Sequence, residues 1–123
     1  MKKTLLAAAL AAAMPCVAMA MASDIGTVTV DGTEQSVNMG NSRVSIGESA
    51  NTVAINGVGK RGILVSEQGK EATVLGSDIT VTSDTTETIR ASNGGVVKLG
   101  GSNTKTVDLT GPDTGLVALT GGQ

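Results

Sequence analysis

A chain of 123 residues without a single Phe, Tyr, Trp or His has little from which to build a compact globular core, because aromatic rings supply the largest buried areas of ordinary domains. The same composition removes the imidazole base and the commonest zinc ligand. Nine basic and eleven acidic side chains give a net charge of −2, with no basic footprint for nucleic acid.

In chain order, the first element is a secretory signal. Lys2 and Lys3 form its charged start, and an apolar run over 5–14 falls within the usual length of about 7 to 15 residues, too short to span a membrane. Two small-residue cleavage patterns follow, Ala18-Met19-Ala20 and Ala20-Met21-Ala22, and the polar Ser23-Asp24 favours cleavage after Ala22. Residues 1–22 are therefore read as the signal peptide. Cys16 follows Ala13-Met14-Pro15, which lacks the small residue a lipid-acceptor cysteine needs directly ahead of it, so it is expected to leave with the signal. The exported chain then has no cysteine and neither a disulfide nor a thiolate metal site. It carries seven basic against eleven acidic side chains, about −4, and offers no basic face for insertion at an anionic membrane.

From Val28 onward apolar residues come in pairs at i and i+2, the period of a half-buried strand. The pairs are Val28 and Val30, Val37 and Met39, Val44 and Ile46, Val53 and Ile55, Ile63 and Val65, Ile79 and Val81, Ile89 and Ala91, Val97 and Leu99, Val107 and Leu109. Between them lie Gly32, Gly40-Asn41, Gly47, Asn56-Gly57, Gly76, Asn93-Gly94-Gly95 and Gly100-Gly101, which suit tight turns. No segment carries a helical stripe, so the expectation is all-β.

A longer period is present. Ser36-Val37-Asn38-Met39, Gly62-Ile63-Leu64-Val65, Thr88-Ile89-Arg90-Ala91 and Gly115-Leu116-Val117-Ala118 fall into register at steps of 26, 26 and 27 residues. Three strands fill each unit, led by Val37, Val44 and Val53, then by Ile63, Thr73 and Ile79, then by Ile89, Val97 and Val107. The middle strand is the weakest, since Val74-Leu75 breaks the alternation. Three strands and three turns per unit predict a right-handed parallel β-helix of about 26 residues per coil. Residues 23–35 are expected to form an N-terminal strand leading in, and 36–123 about three complete coils and the start of a fourth. Val, Ile and Leu fit the narrow interior of such a cylinder better than rings do. An antiparallel meander with hairpins at Asn56-Gly57 and Asn93-Gly94 is the competing arrangement.

Candidate chemistry is sparse, and no catalytic, cofactor-binding or metal residue is assigned. Asp78, Asp84 and Glu87 could in principle bind calcium through oxygen but are read as turn carboxylates. "GGVVKLGG" (94–101) has the glycines of a phosphate loop but precedes a strand rather than a helix. Lys60-Arg61 reads as a solvated turn between coils. Thr27-Val28-Thr29 and Thr80-Val81-Thr82 would suit a water-ordering face, but they are not one coil apart, so no continuous rank is expected.

The stretches "GILVSEQGKEATVLGSDITVTSD" and "TIRASNGGVVKLGGSNTKTVDLTG" resemble the passenger region of Gram-negative autotransporters and related large adhesins, in composition and rhythm rather than in an invariant motif. The resemblance implies a cell-surface or secreted stalk segment, not an enzyme, continued by further coils of the same polypeptide or self-associating through an open C-terminal coil edge, with some host or neighbouring-cell ligand. The family's C-terminal translocator barrel is not found before Gln123. The alternatives are a small secreted solenoid that binds or forms matrix, and a fragment of a polysaccharide-active β-helix enzyme.

Overall fold

The computed structural model describes residues 23–119 and 121–123, the side chain of Thr114 excepted; residues 1–22, read above as a signal peptide containing Cys16, lie outside the described residues. Among the described residues twelve strands follow one another: β1 (Ser23–Ile25), β2 (Thr27–Val30), β3 (Thr33–Gln35), β4 (Arg43–Ile46), β5 (Thr52–Gly57), β6 (Ile63–Val65), β7 (Glu71–Val74), β8 (Asp78–Ser83), β9 (Glu87–Ala91), β10 (Val96–Leu99), β11 (Thr106–Thr110) and β12 (Thr114–Ala118). They form three sheets, in the orders β1-β6-β9-β12, β10-β7-β4 and β11-β8-β5-β2-β3. From β4 onward every pairing among these strands is parallel and joins strands one turn of the chain apart, a solenoid-like stack.

The expected register holds on two faces. Ile63 lies opposite Ile89, and Ile89 opposite Leu116. Val53 lies opposite Ile79, and Ile79 opposite Val107. Such rows of like residues are the interior. Ile63, Ile79 and Ile89 are at most 1% exposed, and burying each contributes about 1.5–3 kcal/mol.

The third face departs from the expectation by one residue. Ala72, not Thr73, sits between Val44 and Val97, while Thr73 points outward between Ser45 and Lys98. A one-residue slip turns every side chain of a strand over, and Ala72 with Val74 fills the interior where Thr73 would bury a hydroxyl. Leu75 falls beyond the strand, at the corner.

The larger departure is at the N-terminal end. Ser36-Val37-Asn38-Met39 is no strand. The place expected for it is taken by β1, which runs antiparallel to β6 with Ile25 opposite Ile63. β2 then lies antiparallel on β5, and β3 folds back on β2. Asp31-Gly32 makes the two-residue turn between them, with φ of 47° and 82°, the positive pair that a tight hairpin requires. Asp31 also ties the hairpin down. Its carboxylate accepts hydrogen bonds from the Asn51 and Thr52 N–H groups at 3.0 and 2.8 Å. Of the expected strand only Met39 is buried, delivered by a turn in which the Gly40 N–H donates to Asn38 Oδ1 at 2.7 Å.

The two sites of the meander alternative make no hairpin. Asn56-Gly57 lies inside β5, opposite Thr82 and Ser83 in parallel, and Asn93-Gly94 turns the corner between β9 and β10, which belong to different sheets.

Candidate functional site

The corners between the second and third sheets differ in length, and the difference carves a groove. Residues 47–51 connect β4 to β5, residues 100–105 connect β10 to β11, and between them only 75–77 connect β7 to β8. Two long loops thus stand on either side of a short one. The groove, of about 590 Å³, is walled by Ser49 and Asn51 on one side and by Ser102, Asn103 and Thr104 on the other, with Leu75 and Ser77 on its floor.

The floor is tightly tied. Leu75 N–H donates to the Ile46 carbonyl at 2.8 Å, Thr104 Oγ1 donates to the Gly76 carbonyl at 2.7 Å, and Lys105 N–H donates to the Ser77 carbonyl at 2.7 Å. Coil-to-coil bonds therefore consume the backbone polar groups there, and the groove presents hydroxyls, amides and the Leu75 methyls. Its charged lining residues are Glu48 and Lys105. One acid and one amine on two separate loops make no acid–base pair of the kind proton transfer needs. The arrangement suits weak contact with a neutral polar molecule.

The acids singled out from the sequence are not brought together. Asp78 points outward from β8 and accepts the Thr106 hydroxyl at 2.7 Å, and Asp84 accepts the Gly59 N–H at 2.7 Å. Glu87 faces Arg61 and Arg90, with Arg61 Nε at 2.7 Å and Arg90 Nη1 at 3.0 Å, and accepts the Thr86 hydroxyl at 2.9 Å. Partial burial pushes the Glu87 carboxyl up, but the Thr86 hydroxyl and the two guanidiniums outweigh it and hold the group below its ordinary value. Lys60-Arg61 is therefore more than a solvated turn: Lys60 reaches Asp24 of β1 at 3.0 Å while Arg61 reaches forward to β9. In "GGVVKLGG" the glycines turn corners and Val96–Leu99 is β10, whose Lys98 pairs with Glu71 at 3.3 Å.

The two Thr-x-Thr stretches, expected to stay apart, lie in one sheet. The antiparallel β2 sets Thr27 opposite Asn56 and Thr29 opposite Ala54, and β8 on the other side of β5 sets Thr82 and Thr80 against the same two residues. Sequence spacing alone could not find this, because it assumed parallel stacking throughout. The groove was missed as well: the break in alternation at Val74-Leu75 was its only local sign. No family model, curated protein or solved structure matches the chain.

Proposed function

We propose that residues 23–123 are an exported structural segment, a length of right-handed parallel β-helix that serves as an adhesin-like stalk on the surface of a Gram-negative cell and catalyses nothing. The observation that carries this reading is the row Val53, Ile79, Val107. It keeps one strand direction through every rung, and exposure rises from 1% and 0% to 43% at the last. A rung half open to water, with one strand edge free among the described residues, suits a further coil of the same polypeptide. The right-handed sense follows from the crossover rule for parallel strands. The autotransporter resemblance and the signal-like 1–22 supply the address.

The groove favours a second reading, a small secreted solenoid that binds rather than spaces. Sedimentation separates the two. The stalk reading expects the secreted chain to self-associate and a variant with a capping coil appended at its C-terminal end to run as a monomer. A well-folded monomer of the unaltered chain at micromolar concentration would displace it. Export is checked by mass: the exported chain should start at Ser23, or at Met21 for the nearer cleavage, and retention of a lipid-bearing Cys16 would overturn this.

A further inference from the structure

The outer face of the five-stranded sheet differs from the other two in what it lacks. All seven cations of residues 23–123, namely Arg43, Lys60, Arg61, Lys70, Arg90, Lys98 and Lys105, lie off β2, β5, β8 and β11. On those four strands the outward positions hold seven threonines, Ala54, Asn56, Asp78 and Asp108, so no side chain there is longer than Asn; the longer Glu34 stands only at the edge, on β3 opposite Thr29. Both other faces carry long charged groups, Arg90 on β9 and Arg43 and Lys98 on the β4 sheet.

Pairing arranges these short side chains in ranks across the strands. One rank runs Thr27, Asn56, Thr82, Thr110, the next runs Thr29, Ala54, Thr80, Asp108, and a third runs Thr52, Asp78, Thr106. Neighbours within a rank are about 4.8 Å apart, and successive ranks, two residues along a strand, about 6.7 Å apart. Threonine is stiff at χ1, so its hydroxyl and methyl are held rather than sampled. Cross-strand bonds fix some further: Thr82 Oγ1 donates to Asn56 Oδ1 at 3.0 Å and Thr106 Oγ1 to Asp78 at 2.7 Å. In each case the hydroxyl oxygen keeps acceptor capacity for a molecule outside.

We infer that this face binds a crystalline water surface, ice. The oxygen atoms of hexagonal ice repeat at comparable separations in two directions, so a rigid grid of hydroxyls and methyls can hold first-layer water in positions continuous with the lattice. The ranks lack threonine at Ala54, Asn56, Asp78 and Asp108, and of these Ala54 and Asn56 lie two residues apart on β5, where the ranks of β2 and β8 meet. They mark where the grid is weakest.

The test uses the full secreted chain and three variants, each checked for an unchanged circular dichroism spectrum and melting temperature. Inhibition of ice recrystallisation and shaping of a single ice crystal are the readouts. Wild type is expected to be active, Thr80→Lys and Thr82→Lys to lose activity, and the double variant Ala54→Thr, Asn56→Thr to gain it. Inactivity of both wild type and the filled variant would overturn the inference, as would wild-type activity untouched by either lysine. Retention on crystalline cellulose or chitin without any effect on ice would also overturn it, and would reassign the face to a polysaccharide surface. None of these results bears on whether further coils extend the stack.

Discussion

The two ends of this solenoid are built from the same kinds of residue and behave in opposite ways. At the N-terminal end Ile25 and Val28 are buried on strands that themselves run against the stack, and a carboxylate pins the β2-β3 hairpin to the first corner. At the C-terminal end Leu116 and Val107, on the same rows as Ile63 and Val53, are 54% and 43% exposed. Strand direction accounts for the difference. An antiparallel strand joined by a two-residue hairpin turns the chain back on itself and closes the row, whereas a parallel strand repeats the surface it covers.

The sharpest way to break this comparison is to place one charge at two rungs of one row. Ile89→Asp, buried between Ile63 and Leu116, should cost roughly 4 kcal/mol or more, an unpaired carboxylate having no partner in the interior. Leu116→Asp, one rung later, should cost under about 1 kcal/mol. Equal costs in denaturant unfolding would mean that the two rungs are equally closed.

Backbone approach offers a second contrast. Gly26 lies so close to the Asn56 carbonyl that a side chain there would collide with it, while the contacts awaiting a side chain at Gly115 begin at an ordinary 3.6 Å. Gly26→Ala should therefore lose about 1–3 kcal/mol. Gly115→Ala should stay within about 0.5 kcal/mol of wild type.

Removing the pin tests the cap by itself. Asp31→Ala deletes the acceptor of the Asn51 and Thr52 N–H groups and leaves a residue with a larger penalty at φ 47°. A loss of about 1–2 kcal/mol is expected, with hydrogen exchange accelerating in β2 and β3 before β8. Uniform acceleration across all strands would show that the cap does not open separately.

The smallest effect is that of pH. Because the Glu87 carboxyl is lower in the folded chain than when unfolded, its ion pairs stabilise the fold fully above the ordinary carboxylate value. That contribution fades as pH falls through the depressed folded value. Glu87→Gln should cost about 1 kcal/mol at neutral pH and nothing in strong acid, so the two melting curves should converge below the ordinary carboxylate range.

How far the sequence could be read depends on which force fixed each part. Rows made by burial were legible, because Ile63, Ile89 and Leu116 must share a face and a 26-residue step leaves few other ways to align them. The middle strand was read one residue out, since Ala72 and Thr73 are both small and only packing against Val44 and Val97 decides between them. The cap was missed. Val37 and Met39 copy the strand signal of later coils, and nothing local reveals that β1 reaches the same place first, from the opposite direction. The groove depends on three turns compared with one another, a relation that no single stretch contains.

Those turns carry one more implication. Connections of five, three and six residues join equivalent strands, yet Val53, Ile79 and Val107 remain in line. The corner behind β10 is thus a place where length is free: residues can be added at 100–105 for little more than the slow logarithmic cost of a longer loop, while the rungs on either side stay where they are. A chain built this way can change what it displays at one edge without renegotiating the stack that holds it up.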